Sequence, residues 1–201
     1  MEITWHGNTC FTCREKAGLS VVINPNKEAK NLQGEVILAS DPESIPVEGS
    51  KKTFDWPGEY EISDIPIVGF QAWTQSRSKE EETGKSGEKT IIFCFQVDGI
   101  KICHLGELGH ILTSDMVKEI GDVDVLMIKV GKNTNLDLKK AIEVIEAIEP
   151  RIVIPMGENN SQDSLLKELG GDKVEIQDKF TIKSVTELPD DHMRWVVLNK
   201  S

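Results

Sequence analysis

The 201-residue chain carries 34 acidic against 23 basic residues, a formal charge of −11, and 38% of it is hydrophobic. That is enough apolar material for one domain with its own core, and too acidic a balance for a nucleic-acid backbone or an anionic membrane as main partner. No apolar run approaches the roughly 20 residues of a membrane-spanning helix, and Met1-Glu2-Ile3-Thr4-Trp5 lacks the basic-then-apolar layout of a signal peptide; the expected location is the cytoplasm.

The first half reads as strands. Ile3 to Trp5, Thr9 to Arg14, Leu19 to Ile23 and Glu35 to Ala39 are short apolar or β-prone runs, and Asn24-Pro25-Asn26 and Ser40-Asp41-Pro42 break them. Further extended pieces are expected around Tyr60 to Ile62 and Ile65 to Phe70. From Gln75 to Lys89 no residue is apolar. Burial cannot offset the entropy of ordering such a segment, so residues 75–89 are expected to form a mobile charged loop, either a lid or a solvated hairpin tip.

The second half alternates strands with helices. Thr90 to Val97 and Ile100 to His104 form a hairpin through Asp98-Gly99. Thr113 or Ser114 caps a short helix stopped by Gly121, and Val123 to Val130 is a buried strand. Asp137 to Ile148 is the clearest helix, with Leu138, Ala141, Ile142, Ile145 and Ile148 on one face and Pro150 just beyond. Arg151 to Pro155 is a strand, and Ser161 caps a helix that uses Leu165, Leu166 and Leu169. Short strands at Val174 to Ile176, Phe180 to Ile182 and Trp195 to Leu198 close a single domain, 1–201, of sheets covered by helices.

Cys10-Phe11-Thr12-Cys13 has the spacing of a zinc knuckle, but in a strand positions i and i+3 point to opposite faces, and buried free thiols are expected instead. Trp5 and Trp195 are expected in the core, Trp56 and Trp73 beside a cleft or on a contact surface. His6 is expected at an edge strand and His192 in solvent. No glycine-rich phosphate loop and no glycine-x-serine-x-glycine elbow is present. The chemistry-bearing stretch is Lys101 to His110, where an apolar strand runs into a turn holding His104, Gly106, Glu107, Gly109 and His110.

Five pieces in order carry a resemblance: Ile3 to Phe11, Val22-Ile23-Asn24-Pro25, Pro57-Gly58-Glu59-Tyr60-Glu61, His104 to His110, and Ile154-Pro155-Met156-Gly157. Together they resemble the metallo-β-lactamase superfamily, and within it a small bacterial metal-dependent hydrolase-like branch. The resemblance implies a four-layered αβ/βα sandwich. It also marks departures. Where active members carry a threonine-histidine-x-histidine-x-aspartate-histidine run, this chain has Ser40 to Pro46, with Asp41 and Glu43 for the first histidines and Ile45 and Pro46 for the aspartate-histidine pair. The histidine of the opening turn is Asn8, the last histidine ligand is Gly157, and the bridging aspartate is lengthened to Glu107.

The implied cleft therefore comprises Asn8, Asp41, Glu43, His104, Glu107, His110 and Gly157, with Asp41, Glu43, His104 and Glu107 as the metal candidates. Carboxylates with few imidazoles suit manganese or magnesium better than zinc. Each has a plainer role. Ser40-Asp41-Pro42-Glu43 is an ordinary cap and acidic first turn, Glu107 can stabilise its own turn, and His104 can be a hydrogen-bonded core residue. Three functions are expected from this set. The first is a non-catalytic pseudoenzyme that binds a small molecule or protein with no cofactor. The second is a metal-dependent ester or phosphoester hydrolase with a rearranged carboxylate-rich site. The third is a scaffold subunit contacted through Trp56 and Trp73.

Overall fold

The alternation of polar and apolar residues in β1 (Glu2–Trp5) and β2 (Phe11–Arg14) turns Ile3, Trp5, Phe11 and Cys13 to one face. The computed structural model describes residues 1–74, 87–130, 134–157, 174 and 176–201. Next come β3 (Ser20–Ile23), β4 (Val36–Leu38), β5 (Lys52–Phe54), β6 (Gly58–Ile62), β7 (Ile65–Trp73), β8 (Lys89–Val97) and β9 (Ile100–His104). The chain then alternates: α1 (Ser114–Ile120), β10 (Val125–Lys129), α2 (Leu138–Ile148), β11 (Ile152–Met156), and the short strands β12 (Ile176–Gln177), β13 (Phe180–Thr181), β14 (Arg194–Trp195) and β15 (Val197–Leu198).

Two mixed sheets result, ordered β13-β1-β2-β3-β4-β5 and β14-β11-β10-β9-β8-β7-β6, with β12 and β15 paired separately. In the first, β3, β4 and β5 run parallel; in the second, β9, β10, β11 and β14 do. The main core lies between the sheets, where Ile3, Phe11, Ile23 and Leu38 of one meet Ile67, Phe93, Ile102, Met127 and Ile154 of the other. A second core lies under the helices. There Ala141, Val144, Ile145 and Ile148 of α2 pack with Cys103, Leu126, Ile128 and Val153 of the second sheet.

This is the expected α/β sandwich, with α1 and α2 outside the second sheet. On the far face of the first sheet, Val22 and Ile37 pack with Val47 and Leu32 from loops. The helix expected after Ser161 falls outside the described residues, as does 75–86 of the charged segment expected to be a mobile loop. Lys89, the last residue of that segment, already belongs to β8.

Both helices start where their caps dictate. The Thr113 hydroxyl accepts from the Met116 N–H, and the Asp137 carboxylate accepts from the Lys140 N–H. α2 ends on Glu149 in the left-handed region rather than on glycine. β5 was not expected, since Lys51-Lys52-Thr53-Phe54 buries only Phe54. β7 runs three residues past the expected end at Phe70, paired with β8 as far as Trp73↔Lys89.

Phe11 is fully buried between the sheets, its ring 6.4 Å from Trp5 and edge-on to His104 at 6.0 Å. Phe11→Ala should therefore cost about 3–5 kcal/mol in urea unfolding; a loss below about 1 kcal/mol would mean the inter-sheet core repacks freely.

Candidate functional site

The carboxyl ends of β3 and β4 in one sheet and of β9, β10 and β11 in the other come together at one end of the sandwich, where open α/β sheets commonly bind ligands. An open cleft of about 1080 Å³ lies there, and Asn8, Asp41, Glu43 and Glu107 line it together with Trp56 and Asn135. His104, His110 and Gly157 do not line it.

The floor is a closed hydrogen-bond network. Asn24, just past β3 with φ of +45°, donates from Nδ2 to the Thr9 hydroxyl at 3.1 Å and to the Ser40 hydroxyl at 2.6 Å. Its Oδ1 accepts from the Ser40 N–H at 2.7 Å. The Ser40 carbonyl in turn accepts from the Thr90 hydroxyl and the Ile91 N–H, both at 3.1 Å. Thr90 Oγ1 then accepts from the Glu107 N–H at 3.3 Å. Gly106, with φ of +57°, makes this closeness possible: a Cβ there would stand 2.8 Å from Ser40 Oγ and 2.9 Å from Thr90 Oγ1.

Both expected histidines are used up inside the protein. His104 Nδ1 accepts from the Gly106 N–H at 3.1 Å, so the ring proton sits on Nε2, which donates to the Thr9 carbonyl at 3.0 Å. The ring thereby ties β9 to the turn between β1 and β2, and burial pushes its pKa down to about 4. His110 Nε2 accepts from the Trp73 N–H at 3.4 Å, and its Nδ1–H donates to the Ile111 carbonyl at 2.8 Å. Burial lowers its pKa as well. Neither ring has a lone pair left for a metal, which corrects the expectation that they face the cleft.

Glu107 is likewise engaged. The Lys129 ammonium, at the end of β10, lies 2.5 Å from Oε1, while Asn135 Nδ2 donates to Oε2 at 3.1 Å and to the Glu107 carbonyl at 2.9 Å. Lys129 also exerts a favourable charge on Asp41. Asp41 and Glu43 form a turn: the Glu43 N–H donates to Asp41 Oδ1 at 2.9 Å. Burial, and secondarily the Glu43 charge, raise the Asp41 pKa. Gly157, expected from the resemblance at the last ligand position, has φ of +136°, and a Cβ there would come 2.2 Å from the Val130 carbonyl oxygen. No β-carbon fits that backbone.

His104, His110 and Glu107, expected from the resemblance as cleft or metal residues, are thus all engaged by partners within the protein. No three His, Cys, Asp or Glu side chains among the described residues converge as a metal-holding group. Asn24, Ser40, Thr90, Lys129 and Asn135 were not singled out from the sequence. Lys129 was detectable as the single charge within the apolar run Val125 to Val130, and Asn24 as the residue where the branch usually carries aspartate.

The remaining expectations divide. Cys10 and Cys13 are buried free thiols, and burial pushes Cys10 up to about 12 and Cys13 higher still, against thiolate ligation of zinc. Trp5 is in the inter-sheet core and Trp195 packs against the helical core. Trp56 is 69% exposed at the cleft, whereas Trp73 stacks obliquely on His110. His6, next to β1, bonds the Thr12 hydroxyl through Nε2.

Residues 2–157 match the model of the beta-lactamase superfamily domain. The chain belongs to this superfamily, on its metallo-β-lactamase side. It is 27% identical over 125 residues to a metal-dependent hydrolase of Thermococcus onnurineus, covering 59% of this chain and 54% of that one. It is 31% identical over 102 residues to a metal-dependent hydrolase of Carboxydothermus hydrogenoformans, covering 51% and 45%. The match thus spans about half the length of these relatives.

Among solved structures, a candidate Zn-dependent hydrolase of the superfamily from Thermotoga maritima is 28% identical, with 98% of both chains covered and a TM-score of 0.78. Igni18, a metallo hydrolase of Ignicoccus hospitalis, shares the fold at 15% identity, a TM-score of 0.63 and coverage of 90% and 99%. The names of these relatives stand nearer to the expected metal-dependent hydrolase than to the expected pseudoenzyme.

Two outcomes follow for this site. Because His104 has a lowered folded-state pKa, its contribution is complete above its ordinary 6.5 and is lost as pH falls toward 4. The loss amounts to at most about 3 kcal/mol. NMR should find the ring neutral, with its proton on Nε2, at pH 7 and unmoved by added zinc; a zinc-dependent shift would contradict the assignment. Asp41 is the opposite case. Its folded-state pKa is raised, so its ionisation costs stability as pH climbs from the ordinary carboxylate range through the raised value. Asp41→Asn, which keeps the acceptor for the Glu43 N–H, should raise Tm at pH 7, with the gain fading in acid; a lowered Tm at pH 7 would contradict it.

Proposed function

We propose that this metallo-β-lactamase-superfamily chain works as a binding protein, with Lys129 supplying the fixed positive charge at the bridging carboxylate that a metal supplies in hydrolytic relatives. One observation carries the reading: both oxygens of Glu107 are satisfied, one by the Lys129 ammonium and one by Asn135. A divalent ion would have to displace an ammonium already paired with its carboxylate, and it would gain no imidazole from His104 or His110.

The ligand we propose is a cationic organic molecule bearing one or more amines. Among the described residues, Asp41, Glu43, Asp55 and Glu88 line the cleft against one lysine, Lys89, and Trp56 holds an exposed indole at its edge. Carboxylates attract the ammonium, and an indole face adds a cation–π contact of about 0.5–1 kcal/mol at an exposed position. Spermidine serves as the probe. Calorimetry should detect binding that weakens with salt, with Trp56→Ala and with Asp41→Asn. Binding of inorganic phosphate in place of spermidine would overturn the ligand class.

The internal cation has its own test. Lys129→Met leaves Glu107 without its ion-pair partner, while Lys129→Met with Glu107→Gln removes both charges. The double-mutant cycle should give a coupling of about 1–2 kcal/mol, and a coupling near zero would remove the basis of the reading.

The relatives' names support a second reading, a metal-dependent hydrolase whose cleft carboxylates hold manganese or magnesium. On that reading added manganese raises Tm and brings ester or phosphoester hydrolysis that Asp41→Asn abolishes. Absence of both effects leaves the binding reading.

A further inference from the structure

Cys94 on β8 and Cys103 on β9 stand directly opposite each other. The two strands are joined by the two-residue turn Asp98-Gly99, with φ of +51° and +79°, the primed turn that closes tight hairpins. In such a hairpin the closing pair, Val97 and Ile100, exchanges backbone hydrogen bonds, and bonded and non-bonded pairs alternate from there. The alternation makes Phe95–Ile102 a bonded pair and Cys94–Cys103 a non-bonded one. Non-bonded pairs bring their Cα atoms to about 4.5 Å, with side chains on the same face, and this spacing lies within the range of about 4.4–6.8 Å that a disulfide spans. Both side chains belong to the apolar cluster beneath the helices, and the neighbouring Cys94 thiol together with burial raises the Cys103 pKa. Cys94 is partly exposed, whereas Cys103 is fully buried in the core beneath the helices.

The geometry points to a modification site: the Cys94–Cys103 dithiol takes a low-molecular-weight disulfide as its co-substrate and closes to an intramolecular cross-strand disulfide. Cys94 meets the reagent first, since it alone of the pair is open to solvent. Its thiolate attacks one sulfur of the reagent, forms a mixed disulfide and releases one thiolate, RS⁻. Cys103 then passes its proton to that thiolate and attacks Cys94 Sγ, expelling the second. In sum, two protein thiols and RSSR give one protein disulfide and two RSH. The protein loses two electrons, and the reagent gains them.

Position gives the reaction a consequence at the cleft. Cys103 directly precedes His104, and Cys94 lies four residues beyond Thr90 on the strand it pairs with. The cross-link would join the two strands whose ends carry the network beneath Glu107. Cys13 on β2 of the other sheet, and Cys10 just before that strand, take no part.

The test is incubation of the folded chain with glutathione disulfide, followed by intact-mass and peptide analysis. The expected product has lost two of the four thiols, is lighter by two hydrogens, and yields a linked Cys94–Cys103 peptide. Cys103→Ser, which removes the resolving thiol, should instead accumulate one glutathione on Cys94, and Cys94→Ser should stay unmodified. A stable glutathione adduct on the unsubstituted chain, full retention of all four thiols, or modification of Cys94→Ser at Cys103 would each overturn the assignment.

Discussion

Five strands from two sheets run out at one end of this sandwich, and Thr9, Asn24, Ser40, Thr90 and His104 are buried there beneath the open cleft. Each donor and acceptor there must find a partner, since an unmet buried group costs about 1–3 kcal/mol. Here Asn24, Ser40 and Thr90 bond one another, His104 bonds Thr9 and Gly106, and the Lys129 ammonium meets Glu107. These bonds tie the ends of both sheets together beneath the cleft.

The substitutions around the floor are mutually consistent. Asparagine at 24 supplies both a donor and an acceptor to Ser40, which a carboxylate would not do. A glycine at 157 accompanies a backbone on which no side chain fits. A lysine at 129 balances the charge of Glu107. Among the described lining residues Asp41, Glu43, Asp55 and Glu88 outnumber Lys89, and on that balance rests the proposal of an amine ligand.

Much of the fold was legible in the sequence because burial patterns and turn chemistry act locally. The Asp98-Gly99 hairpin, the Asp137 cap and the buried strand before Val130 all lie where period and punctuation put them. β5 escaped because it is a short edge strand with one buried residue. The site was legible only in part. Asn8, Asp41, Glu43 and Glu107 do share one cleft, but the direction of His104 and His110 depends on bonds to Thr9 and Trp73, residues 95 and 37 positions away along the chain. The pairing of Lys129 with Glu107 joins β10 to the turn after β9, which no local pattern relates.

Metal content decides most directly between a network complete in itself and a site that awaits an ion. The chain would be expressed with zinc and manganese supplied, purified without chelator, and measured by elemental analysis against protein concentration. The account predicts far less than one metal per chain, unchanged by Asp41→Ala or Glu107→Ala. Near-stoichiometric zinc or manganese that those substitutions remove would contradict it.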